Sequence, residues 1–123
     1  MPKRDIRMSE QETDDFLRTQ TTVMVIALVG DAAPEGAVGR FEYRDGNARF
    51  TLSRDDPVVS SLATDDRACC VLEQFPSYYE IKSVMLHGRA TLRIGDASAG
   101  EATFDLAVVK VVTFDFGKLQ NAT

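Results

Sequence analysis

The chain has 123 residues, 44% of them hydrophobic, with 14 Lys+Arg against 19 Asp+Glu and a formal net charge of −5 at pH 7. That length suits one domain and can bury a core without covalent staples. The acidic balance argues against a general nucleic-acid binder, which presents a basic face, and no apolar run approaches the roughly 18–20 residues that span a bilayer.

The start, Met1-Pro2-Lys3-Arg4, is basic, but no apolar segment of a signal peptide follows, so the expected compartment is the cytoplasm. Ser9 followed by Glu12 is a capping-box pattern, and Phe16-Leu17 supply an apolar edge. A short amphipathic helix is expected from Ser9 to about Thr19. Thr21 to Leu28 is β-branched and apolar, the pattern of a buried strand. Gly30 to Gly36 reads as a turn and Ala37 to Arg44 as a second strand. Asp45-Gly46 is the strongest hairpin signal in the chain, so Asn47 to Ser53 should return beside it and complete a three-stranded meander.

Asp56-Pro57 begins a different segment, with Val58, Val59, Leu62 and Ala63 at helical spacing: a helix of about two turns, ended by Asp65-Asp66. Arg67 to Gln74 reads as a fourth strand. It holds Cys69 and Cys70, the chain's two cysteines. Neighbours on a strand point to opposite faces, so a bridge between these two would be strained. With one His in the chain and no second Cys pair, they read as small buried or half-buried residues, neither disulfide nor metal ligands. Phe75-Pro76-Ser77 breaks the chain, and Tyr78 to Arg93 alternates like a long fifth strand, bent or bulged at Gly88. Gly95 to Gly100 is a turn, Glu101 to Leu106 a helical turn or irregular segment, Ala107 to Phe116 the last strand, and Gly117 to Thr123 a polar, frayed tail. Six antiparallel strands with two or so short helices suggest a closed or partly open barrel, because closure removes the sheet edges.

The order of the motifs carries a resemblance. Phe16-Leu17 precedes an apolar strand. Then come Asp45-Gly46, Ala48-Arg49-Phe50-Thr51-Leu52-Ser53, Asp56-Pro57-Val58-Val59-Ser60-Ser61-Leu62, Tyr79-Glu80-Ile81-Lys82, His87-Gly88-Arg89-Ala90 and Val112-Thr113-Phe114-Asp115-Phe116-Gly117-Lys118-Leu119. From about Ser9 to Leu119 this resembles the FMN-binding split-barrel family related to pyridoxamine 5'-phosphate oxidase, which includes flavin and deazaflavin reductases.

The resemblance implies a single domain, mainly β, folded as a six-stranded antiparallel split barrel. It implies a homodimer with an FMN groove at the interface, and flavin-dependent oxidoreduction of an unidentified small molecule. Carried over, Thr51, Ser53 and Arg54 would hold the phosphate, Gly39, Arg40 and Phe41 would run beside the isoalloxazine ring, and Lys82 would be a second phosphate ligand. A phosphate favours the charge-assisted bonds that Arg and Lys donate. The flavin supplies the redox chemistry, so no catalytic residue and no metal ligand is expected. Deazaflavin and haem are lesser cofactor candidates, with His87 the one residue that would ligate haem. Where the family often carries Ser-x-Lys-x-x-x-Leu, this chain has Val58 in the Lys place, beside Asp55 and Asp56. That departure motivates the alternative, a non-catalytic split-barrel binding protein without the flavin site. In that reading Arg54 and Lys82 are solvated partners of Asp55 and Glu80, and Thr51 and Ser53 are ordinary outward residues. Tyr78 and Tyr79 are expected to pack a dimer interface.

Overall fold

A computed structural model describes residues 5–28, 33–75, 80–93 and 100–120. The elements in chain order are α1 (Glu10–Thr19), β1 (Thr22–Ala27), β2 (Glu35–Arg44), β3 (Asn47–Ser53), α2 (Pro57–Thr64), β4 (Arg67–Gln74), β5 (Lys82–Leu92), β6 (Glu101–Asp115) and α3 (Gly117–Gln120). The strands close into an antiparallel barrel in the order β1-β2-β3-β6-β5-β4, with β4 returning to β1. This is the mainly β, six-stranded split barrel expected from the sequence, with three short helices among the described residues. No described helix is long and apolar enough to cross a membrane.

Local chemistry explains the elements. Ser9 Oγ accepts from the Glu12 amide at 3.1 Å, and Glu12 Oε1 accepts from the Ser9 amide at 2.9 Å. Such a cap contributes about 1 kcal/mol. It starts α1 so that Thr13, Phe16 and Leu17 are buried. At the β2–β3 turn Asp45 has φ 53° and Gly46 φ 78°, the pair of positive values a tight hairpin of matching twist needs.

Inward residues alternate along each strand and fill the barrel: Val23 and Val25 from β1, Phe50 and Leu52 from β3, Leu72 from β4, Val84 and Leu86 from β5. Phe50 and Phe104 stack with ring centroids 5.1 Å apart. Each large apolar side chain so buried contributes about 1.5–3 kcal/mol.

Two expectations need correcting. Glu101 to Leu106 is neither a helical turn nor irregular; it is the first part of β6, which runs unbroken to Asp115. Ala102, Phe104 and Leu106 face the core while Glu101, Thr103 and Asp105 face out, so the segment carries a strand period in spite of the low strand propensity of Glu101, Ala102 and Asp105. The polar tail starts with a helical turn, α3, not a frayed end. The irregularity expected at Gly88 is present. His87 pairs with Lys110 and Gly88 with Val108, so Val109 is the extra residue of a bulge. A Cβ on Gly88 would collide with the Ala107 carbonyl oxygen, so the bulge requires glycine.

Candidate functional site

The barrel's outer surface divides into a polar field and an apolar field that meet on β2. The polar field lies across β2, β3 and β6. Arg40 is paired with Thr51, and Thr51 with Thr103. The two threonine hydroxyls share a hydrogen bond of 2.9 Å. Gly39 explains how β2 comes so close: a Cβ there would overlap the Thr51 carbonyl oxygen and lie 2.6 Å from Leu52 Cδ2. Its role in the structure is steric, since it lets Arg40 stand beside Thr51. Ser53 is exposed at the end of β3, opposite Glu101. Arg54 follows it, its amide bonded to the Gly100 carbonyl at 3.0 Å and its Nη2 donating to the Glu101 carbonyl at 3.1 Å.

Four of the expected residues therefore gather with Gly39 at one place: Arg40, Thr51, Ser53 and Arg54. Two do not contribute side chains there. Phe41 is buried in the core, 6% exposed, so it offers the site only backbone. Lys82 is opposite Asp115, at the other end of β6 from Glu101, which is opposite Ser53. Within the chain Lys82 is therefore not brought to the threonine pair. Tyr78 and Tyr79 lie outside the described residues.

The expected solvated pair of Arg54 with Asp55 is not what the geometry shows, because Arg54 turns to β6. Arg40 Nη1 instead meets Glu101 Oε2 at 2.9 Å, with side chains 69% and 36% exposed. A pair this open contributes about 0–1 kcal/mol, so an incoming anion exchanges for Glu101 at little cost. Around this point sequence reasoning missed Thr103, Glu101, Arg93, Arg49 and Asp105. Arg49 Nε and Arg93 Nη1 both donate to Asp105, at 3.1 and 2.8 Å. Burial works to raise the Asp105 carboxyl, but these two bonds outweigh it and hold it below the usual carboxylate range. The alternation in Glu101 to Leu106 would have found Thr103 and Asp105 had it been read as a strand.

The start of α2 is closed to anions. Asp56 caps it, its Oδ1 accepting the Val58 amide at 2.9 Å. Val58 itself is 1% exposed and belongs to the core. A lysine could not stay in that pocket charged, whereas the field of β2, β3 and β6 presents guanidinium and hydroxyl donors of the kind a phosphate would need.

The apolar field lies across β2, β1, β4, β5 and β6. Val38, Met24, Val71, Met85 and Val112 are paired in one unbroken row over five strands. Val38 is 64% and Met24 41% exposed. Val38 and Arg40 are successive outward positions of β2, so Arg40 borders this row. The next row runs Gly36, Ile26, Cys69, His87 and Lys110. Cys69 Sγ lies 3.9 Å from His87 Nε2. Both thiols are free and buried, and burial pushes Cys69 up and Cys70 to about 12, which keeps them protonated and unreactive. Among the described residues no group of three or more His, Cys, Asp or Glu is placed to hold a metal ion.

No family model and no curated protein matches the sequence. Solved structures do match. A conserved hypothetical protein of Mycobacterium tuberculosis superposes with a TM-score of 0.78 at 18% identity, covering 98% of this chain and 92% of that one. An FAD-binding protein of Mesorhizobium loti gives 0.74 at 12% identity, over 88% and 95%. A proposed pyridoxamine 5'-phosphate oxidase of Corynebacterium glutamicum gives 0.73 at 10% identity, over 94% and 97%. At these identities the likeness shows the fold: this chain is a split barrel of the kind found in flavin-binding and pyridoxamine 5'-phosphate oxidase-like proteins.

Proposed function

We propose that the protein is an FMN-dependent oxidoreductase that works as a homodimer on a small molecule. The observation that carries this is the cluster of Arg40, Thr51, Thr103, Ser53 and Arg54 on the border of the apolar row. The residues fit a flavin phosphate. Two guanidinium groups supply charge-assisted bonds, the hydroxyls supply further donors, and Glu101 is the anion that a phosphate would displace from Arg40. The neighbouring Val38 and Met24 offer an apolar surface for a ring system.

The row continuing over five strands is a large apolar face, and a second copy of the chain would cover it. In that arrangement Lys82 comes to a phosphate only from the other subunit. The M. loti protein's name as FAD-binding supports a flavin here. When bound, the flavin supplies hydride transfer; the chain's residues hold its phosphate, orient it and exclude water. The test is the absorbance spectrum of the purified protein, followed by titration with FMN. Saturable binding at tens of micromolar or tighter is expected, and its absence overturns the reading.

One observation favours the second reading, a split-barrel binding protein without the flavin. α2 opens on Asp56, which occupies its own helix start, and Asp55 stands beside it. If the protein takes up no FMN yet remains a dimer, this reading replaces the first.

A further inference from the structure

Beyond its pairing with β3, β6 continues past Leu106 as an arm paired with β5, its far end also bonded to Ile6 and Met8, and residues of α1 line the space beside it. The result is an open groove of about 930 Å³. Its floor is Leu17, Leu86, Val108 and Val111. The bulge at Val109 shapes this floor. It resets the alternation of β6 so that Val108, opposite Gly88, and Val111, opposite Leu86, both face α1. The groove opens on the inward side of the arm, whereas Thr51 and Thr103 face outward, so it is separate from the polar field.

Among the described residues the charges on the rim do not balance. Asp5 pairs with Arg7 at 3.0 Å, and Glu12 with Lys118 at 2.8 Å. Those pairs cancel the two cations. Among the described residues Glu10 and Asp14 remain as carboxylates with no cation of the rim paired to them; Arg18, one turn on from Asp14, is bonded to Asp15 at 3.1 Å. Asp14 is also held in place: the Tyr43 hydroxyl donates to its Oδ1 at 2.8 Å. Burial, and then the bond to Asp14, push the Tyr43 hydroxyl above its ordinary range, so it stays a donor. This bond leaves Asp14 Oδ2 as an oriented anionic acceptor beside an apolar floor.

We propose that this groove binds a small organic cation, an ammonium group carried on an apolar body. The ammonium meets Asp14 and Glu10, with the Tyr43 ring alongside, and the apolar body covers the valine and leucine floor. The complementarity selects against acids of the same shape, which would face two carboxylates.

The experiment is an NMR titration of the full chain with phenethylamine, and in parallel with phenylpropionate, which has a similar body and the opposite charge. Saturable shifts with the amine, confined to α1, Tyr43 and residues 108–113, are expected at roughly millimolar concentration or below, with none from the acid. Asp14→Asn keeps an acceptor for Tyr43 and removes the charge, so it should weaken the amine about tenfold while preserving the spectrum elsewhere. Equal response to amine and acid, no saturation with the amine, or an unchanged affinity in Asp14→Asn overturns the proposal. The outcome does not depend on whether flavin binds.

Discussion

Thr51 and Thr103 stand opposite each other on β3 and β6 with their hydroxyl oxygens 2.9 Å apart. Each hydroxyl can donate once, and only one proton is needed for the shared bond. The other remains for an anion, beside Arg40. Thr103→Val removes one hydroxyl at nearly constant shape. It should weaken FMN about five- to tenfold, the effect of one hydrogen bond, read by flavin fluorescence titration, with little change in melting temperature.

Arg40→Ala removes a guanidinium from the same field and spares the core. Flavin affinity should fall by more than in Thr103→Val, because a charge-assisted bond is about twice as strong as a neutral one. The fold should persist by circular dichroism, since the lost Glu101 pair is exposed.

Val58→Lys restores the residue that the family pattern has, but at a position 1% exposed in the core. The prediction is destabilisation of about 3 kcal/mol or more, as for other unpaired charges forced into a core. Urea unfolding measures it. A stable variant with tighter FMN binding would show that α2 can turn to bring the side chain out.

Gly39→Ala places a methyl group against the Thr51 carbonyl and Leu52. Backbone cannot yield as a side-chain tip does, so β2 must move from β3. A loss of about 1–3 kcal/mol is expected, together with weaker FMN binding because Arg40 moves with the strand.

Acid stability should report on the α1 cap. The hydrogen bond from Lys118, and then that from the Ser9 amide, lower Glu12 from 4.5 to about 2. The unfolded chain holds the proton more tightly, so this contribution is complete above about pH 4.5 and disappears as pH falls towards 2. Glu12→Gln should lower stability at neutral pH and flatten the pH dependence in that window, followed by urea midpoints across pH. The effect is small because the group is exposed to solvent.

Much of this molecule is legible along the chain because its causes are local. The capping box at Ser9, the Asp45-Gly46 turn and the alternation in β1 to β4 are set by neighbours two to four residues away. The hydroxyls and cations of β3 are visible for the same reason. Glu101 to Leu106 alternates polar and apolar, but Glu101, Ala102 and Asp105 are weak strand formers, so local propensity masks the period until β3 and β5 flank it.

The sequence by itself determined a small β domain, its turns, its strand faces and the polar character of Thr51, Ser53 and Arg54. Only the tertiary structure decided which of these meet. Thr103 comes to Thr51 from 52 residues away, Phe41 turns into the core, Lys82 goes to the far end of β6, and Val58, in the place of the family pattern's Lys, is buried. The physical reason is closure. Register across non-local strands is fixed by the packing of the whole barrel interior and by the close approaches at Gly39 and Gly88, and no short segment contains that information.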